Sequence, residues 1–146
     1  MGSGMAEITI ENARTVIAET IAKGRDMGLN PLSVVVLDAG GHVKAFERED
    51  GAAPGRFAIA HGKAYGCVML GMTGTAQMAR AEQQAYFMDA VNGAFGGHVV
   101  PVPGGVIVRG DDGAVIGAVG VTGDTSDNDL EAAMAGIAAA GLKGEG

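Results

Sequence analysis

Two runs of small, mostly β-branched residues in the last third of the chain constrain its fold more than any other feature. They cover residues 101–108 and 115–122, and the turn sequence Gly-Asp-Asp-Gly lies between them at residues 110–113. This pattern predicts a β-hairpin. The second run ends at Gly123, and a polar cluster that can start a helix follows it. Such strand-to-helix corners commonly bind ligands in α/β proteins, because backbone N–H groups are free there.

The other patterns predict helices and a second hairpin. Apolar residues recur every three to four positions from Thr9 to Met27, with Thr9 as the N-cap and Gly28 as the stop. Residues 33–38 and 42–48 read as strands around the glycine-rich turn at residues 39–41. Further helices are predicted over Arg56–Met72, Thr75–Asn92 and Thr125–Ala140.

These elements predict an α+β fold. Strands joined as hairpins favour an antiparallel sheet, here of about five strands flanked by helices, an α/β sandwich with a profilin- or PAS-like layout. In chain order we expect one helix, two strands, two helices, two strands followed by at most one further short strand, and a final helix. Residues 6–146 are expected to form a single domain, and residues 1–5 read as a remnant of an expression vector.

Composition and charge narrow the class of protein. Hydrophobic residues make up 47% and charged residues 18% of the chain, so its polar surface is small and a homo-oligomer is expected. The net charge of −7, with scattered basic residues, argues against binding to nucleic acid or to an anionic membrane. No apolar run approaches the ~20 residues that span a bilayer, and no signal peptide is recognised, which predicts a cytoplasmic protein.

The histidines are the first candidates for chemistry. His42 follows a glycine turn and is expected to be an exposed residue at the start of a strand. His61 lies on a predicted helix, and His98 lies beside two flexible glycines near a proline-glycine corner. His61 and His98 are therefore the candidate catalytic or ligand-binding residues. The H-x-x-x-H spacing of a zinc site is missing.

The remaining polar groups have simpler interpretations. Asp124, Asp127 and Asp129 could bind a divalent cation, but the EF-hand spacing is absent and a helix start is favoured, so no metal site is predicted. Cys67 is expected to be a small core residue rather than a thiolate. Gly104 and Gly105 could bring backbone N–H groups close to a carboxylate.

Several motifs together resemble one known family, the GlcG/HbpS-type heme-binding proteins, which also include the C-terminal domain of PduO. The resemblance extends from Glu7 to Leu142. The matching segments are residues 35–43 (VVLDAGGHV), 48–52 (REDGA), 62–65 (GKAY), 103–107 (PGGVI) and 116–123 (IGAVGVTG), with Asp129.

This resemblance implies a small α/β sandwich that assembles as dimers and higher oligomers, with heme as the ligand of some members. In that case His61 or His98 would supply the axial donor. The cations for the heme propionates would be Arg48, Arg56 and Lys63, although a solvated surface position is the default for each of them.

Three functional hypotheses remain open. The first is a small-ligand-binding protein that holds heme at an intersubunit cleft. The second is a small catabolic enzyme acting on a carboxylate-type metabolite, with His61 or His98 as general acid or base and the Gly104–Gly105 backbone holding the anion. The third is an oligomeric sensing or scaffold protein without chemistry.

Overall fold

The computed structural model describes residues 7–146, and in them one antiparallel sheet lies between two layers of helices. The predicted vector remnant at residues 1–5 lies outside the described part. The elements in chain order are α1 (Ile10–Asp26), β1 (Ser33–Asp38), β2 (Val43–Arg48), α2 (Arg56–Leu70), α3 (Gly74–Gln83), α4 (Ala85–Ala94), β3 (Gly105–Arg109), β4 (Val115–Thr122), α5 (Ser126–Ala139) and β5 (Lys143–Glu145).

The five strands follow the order β2-β1-β4-β3-β5, and every neighbouring pair is antiparallel. The predicted α+β class and both predicted hairpins are confirmed. Each hairpin turn contains a glycine with a positive φ, 87° at Gly41 and 84° at Gly113. Other residues avoid that conformation, which explains why glycine marks both turns. The predicted ends of α1 are also correct, since Thr9 caps it and Gly28 follows with a φ of 69°.

Each face of the sheet has its own hydrophobic core. Successive residues of a strand point to opposite faces, so Val34 and Val36 pack towards α1 and α5, whereas Val35 and Leu37 pack towards α2. Because β1 is covered on both sides, its sequence is a nearly continuous apolar run. The sheet thus holds α2 against its second face, where the candidate site is found.

Two expectations were wrong. The single helix predicted over 75–92 is two helices that meet at Gln84, whose φ of −140° and ψ of 64° lie outside the helical region. The short extra strand lies after the last helix rather than before it, as β5 paired with β3. No helix within residues 7–146 combines the length and the apolar character needed to cross a bilayer.

Candidate functional site

One face of α2 carries three aromatic rings. Phe57, His61 and Tyr65 are spaced four residues apart, so their side chains follow one another along the helix. A neighbouring face of α2, including Ala60 and Ala64, packs on the sheet. The rings of His61 and Tyr65 are stacked, with centroids 5.3 Å apart. This face of α2 is therefore partly open and ring-lined.

The fold brings His98 onto the same face. The ring of His98 meets those of His61 and Tyr65 edge-on, each at a centroid distance of 5.9 Å. Its segment is held by a hydrogen bond from the backbone N–H of Val100 to the carbonyl of Gly62, at 3.1 Å. A side chain at residue 62 would collide with the carbonyl of His98 and with Val100, so this glycine permits the approach. The two histidines predicted from the sequence thus meet.

Two further aromatic residues extend the group in opposite directions. Phe46, on β2, lies 4.8 Å from Phe57, and Phe95, after α4, lies 6.3 Å from Tyr65, both as centroid distances. We call the whole group the aromatic–histidine cluster. It consists of Phe46, Phe57, His61, Tyr65, Phe95 and His98.

The histidines of the cluster have available nitrogens. Burial, and secondarily the nearby charge of His98, lowers the pKa of His61, so its imidazole is neutral near pH 7. Within residues 7–146, neither the ring of His61 nor that of His98 makes a hydrogen bond to a protein group. His42, by contrast, is exposed as expected and places its Nδ1 3.3 Å from Asp38. A neutral imidazole can bind a metal centre or accept a proton.

The lowered pKa of His61 predicts a pH-dependent stability. Below the unfolded-state pKa of 6.5, the unfolded chain takes up a proton that folded His61 resists, so the free energy of unfolding should fall as the pH drops from 6.5. Urea unfolding at pH 7.0 and 5.5 should show a smaller fall for His61→Gln than for the wild type. An unchanged fall in His61→Gln would contradict this account.

Two of the predicted cations lie near the start of α2. Arg48 donates from Nη1 to the carbonyl of Ala52 at 3.0 Å, and Arg56 donates from Nη1 to Oγ1 of Thr122 at 2.8 Å. Arg56 also lines a cleft of about 290 Å³, together with Gly123 and parts of the segments at residues 30–31 and 51–53. The start of α2 therefore places the Arg56 guanidinium beside an open cleft.

Lys63 lies elsewhere, in the interior. Its side chain is 3% exposed, and its Nζ lies 2.9 Å from the carbonyl of Val121 and 3.2 Å from Oδ2 of Asp129. The default surface position for Lys63 is therefore wrong. Burial lowers the pKa of Lys63 and raises that of Asp129, while their mutual attraction opposes both shifts. This buried pair ties α2 to α5.

Gly104 and Gly105 are buried under α2. A side chain at residue 104 would meet the Nζ of Lys63, and one at residue 105 would meet the Sγ of Cys67. Gly104 also has a φ of 107°, which disfavours other residues. In the described structure these glycines let α2 approach β3 closely, and their backbone lies beneath the helix.

The acidic cluster marks a helix start, as favoured from the sequence. Thr125 caps α5 by accepting a hydrogen bond from the N–H of Asn128. The carboxylate of Asp124 accepts three hydrogen bonds, from Asn30, Thr125 and Asn128. Across residues 7–146, no three His, Cys, Asp or Glu side chains are grouped so that they could hold a metal ion.

Cys67 is a buried core residue, as expected. It is 1% exposed, and burial raises the pKa of its thiol to about 12. The thiolate that catalysis would require is therefore strongly disfavoured at neutral pH.

Sequence reasoning missed the aromatic partners of the two histidines and the pairing of Lys63 with Asp129. The four-residue spacing of Phe57, His61 and Tyr65 was a usable signal, because it places the three rings on one helical face. No local pattern indicates Phe46 or Phe95, which reach the cluster from other elements.

Comparisons with known proteins agree on the family and the fold. A family model described as haem degrading protein HbpS-like matches residues 8–138. The crystal structure of a PduOC:heme complex has a TM-score of 0.83 at 20% identity, over 94% of this chain and 97% of that chain. The crystal structure of HbpS has a TM-score of 0.79 at 26% identity, over 93% and 92%.

A third similar structure is the Klebsiella pneumoniae protein ORFY, with a TM-score of 0.83 at 23% identity, over 97% of this chain and 96% of that chain. No curated protein sequence matches the chain. Because the family model covers nearly all of the described residues, the chain belongs to the HbpS-like family of haem degrading proteins.

Proposed function

We propose that this protein binds heme at the aromatic–histidine cluster, with His61 or His98 as the axial donor. The observation that carries the proposal is the meeting of two histidine rings on a ring-lined face, where neither ring is hydrogen-bonded to a described protein group. Support also comes from the family description and from the similar fold of the PduOC:heme complex.

The residues of the cluster suit a porphyrin. Heme iron takes an imidazole nitrogen as a ligand, and a neutral His61 offers one at pH 7. Phe46 and Phe57 add apolar ring surface beside the histidines, and Phe57 is 39% exposed. When bound, heme would supply a redox-active iron, whose reactivity depends on its axial ligand and surroundings.

The charged ends of a heme would need cations. Arg48 lies two residues after Phe46 on the same face of β2, and Arg56 precedes Phe57 on α2. We propose these two arginines as partners for the propionates. Lys63 is already engaged with Asp129 and Val121, so this role would require it to leave a buried ion pair.

We further propose that a second copy of the chain covers the other side of the bound heme. The cluster lies at the surface of the single chain, with Phe57 and His98 both exposed. A porphyrin lying there would keep one face open to water unless another molecule covered it. This arrangement would make the site an intersubunit cleft in a homo-oligomer.

Titration with hemin tests the histidine assignment. We expect a sharp Soret band with the wild type and a weaker, broader band with the variant that lacks the axial donor. Loss of a residue that merely orients a ligand already costs roughly tenfold or more in metal affinity, so loss of the donor should exceed that.

The matched control is His42→Ala, which removes the one histidine outside the cluster and should leave the spectrum unchanged. The variants to compare with it are His61→Ala and His98→Ala. Wild-type spectra in both of these, and in the double variant, would exclude ligation by these histidines.

Acid–base catalysis on a small carboxylate is the second candidate function. The lowered pKa of His61 favours it, because a neutral imidazole can accept a proton at pH 7. Absence of a Soret band in the wild type, together with binding of short carboxylic acids that His61→Ala abolishes, would favour this candidate over heme binding.

A further inference from the structure

The cleft at the start of α2 contains an arginine without an acidic partner. Within residues 7–146, no carboxylate lies within salt-bridge distance of Arg56, and the only hydrogen bond that its side chain makes is to Thr122. Thr122 is 1% exposed, so this hydrogen bond anchors the guanidinium to the buried end of β4. A guanidinium has five N–H donors, so the hydrogen bond to Thr122 leaves four of them without a described side-chain partner.

Two acids close in sequence to the lining of the cleft already have protein partners. Asp124 accepts hydrogen bonds from three protein groups, which together lower the pKa of its carboxyl. Glu49 accepts from the N–H of Leu32 and pairs with Arg25 at 3.2 Å. Neither acid forms an ion pair with Arg56, and no other described carboxylate does, so the guanidinium can still pair with a carboxylate ligand.

A buried hydroxyl lies behind Arg56. Ser33 and Thr122 are register partners on β1 and β4, and both point to the α2 face of the sheet. Ser33 is fully buried, and its Oγ has no hydrogen-bond partner. Buried polar groups normally have a hydrogen-bond partner. The Ser33 hydroxyl could therefore make a further hydrogen bond that no described residue provides.

The size and lining of the cleft narrow the class of ligand. Its volume is about 290 Å³, its lining is mainly polar, and Pro31, Ala52 and Ala53 contribute a smaller apolar part. One guanidinium matches one carboxylate, because its fork can donate two parallel hydrogen bonds to the two oxygens. The small apolar part suits a short carbon chain.

We propose that this cleft binds a small free monocarboxylic acid through Arg56 without the aromatic–histidine cluster, and that a propionate of bound heme would compete for the same guanidinium. A heme propionate has the same chemistry, so the test must separate the two sources. The independence follows from position, since the cleft is lined by the 30–31 and 51–53 segments and not by the rings of the aromatic–histidine cluster.

The test is an NMR titration of heme-free protein with acetate and butanoate, with 1-butanol and inorganic phosphate as comparison ligands. We expect saturable shifts of the backbone signals at residues 51–53, 56 and 123, with a Kd on the order of 1 mM. Butanoate should bind at least as tightly as acetate. Absence of saturable shifts there, or equal binding of butanol or phosphate, would overturn the proposal.

Two substitutions complete the test. Arg56→Gln should weaken butanoate binding roughly tenfold or more, because charge-assisted hydrogen bonds are lost. Arg109→Gln, at an arginine already paired with Glu145, should leave it unchanged. The double variant His61→Ala/His98→Ala should bind butanoate like the wild type. Loss of binding in that double variant would tie the site to the heme cluster and overturn the independence of the cleft.

Discussion

Replacing Asp129 by alanine is expected to lower the free energy of unfolding by about 3–5 kcal/mol, because the charge of Lys63 would stay buried without its partner. The same change also leaves the N–H of Asp124 without the carboxylate that accepts its hydrogen bond at 2.9 Å. Urea unfolding at pH 7 measures this loss of free energy of unfolding. It is given by the shift of the midpoint when the slope of the free energy against urea concentration is unchanged.

The control for this change is Asp127→Ala, which removes an exposed acid from the same first turn of α5 and should have a much smaller effect. The double variant Lys63→Met/Asp129→Leu should recover most of the loss, since it removes both buried charges together. Equal stabilities for Asp129→Ala and Asp127→Ala would show that the buried pair contributes nothing.

Gly120→Ala is the second substitution with a large expected effect. A Cβ at residue 120 of β4 would meet the carbonyl of Ala60 and the methyl group of Ala64, so α2 would have to move away from the sheet. Overpacking of this kind typically costs about 1–3 kcal/mol. Because α2 carries His61, heme affinity should fall as well, and both losses can be followed by thermal unfolding and hemin titration.

Gly93→Ala provides the matched control for Gly120→Ala. Gly93 lies inside α4, and no atom lies within 4 Å of where its Cβ would be. The same substitution should therefore stabilise the protein here, by roughly 0.5–1 kcal/mol, through the higher helix propensity of alanine. Changes of the same sign at both glycines would refute the explanation by close packing.

Features that depend only on residues close together in the sequence were predictable. Both hairpin turns were predictable, because a glycine with a positive φ is required within a few residues of each strand. The start of α1 was also predictable, since the side chain of Thr9 caps the helix. The break at Gln84 was not, because Gln83, Gln84 and Ala85 contain neither glycine nor proline.

The candidate site was predictable only in part, for a related reason. His61 and His98 could be chosen by residue type and by flanking glycines, but their meeting depends on how the segment after α4 packs against Gly62. Lys63 and Asp129 are 66 positions apart, and only the assembled sheet brings them together. Tertiary packing therefore determined whether a charged side chain lies at the surface or in the interior.

The short strand β5 also determines how the sheet meets other molecules. It pairs with β3 through residues 143–145, and β3 presents Val106, Ile107 and Val108, all buried. An uncovered strand of this kind is a template for pairing with another chain, which leads to aggregation. By occupying that edge with the polar sequence Lys-Gly-Glu, β5 protects the apolar strand from such contacts and gives the sheet a charged border.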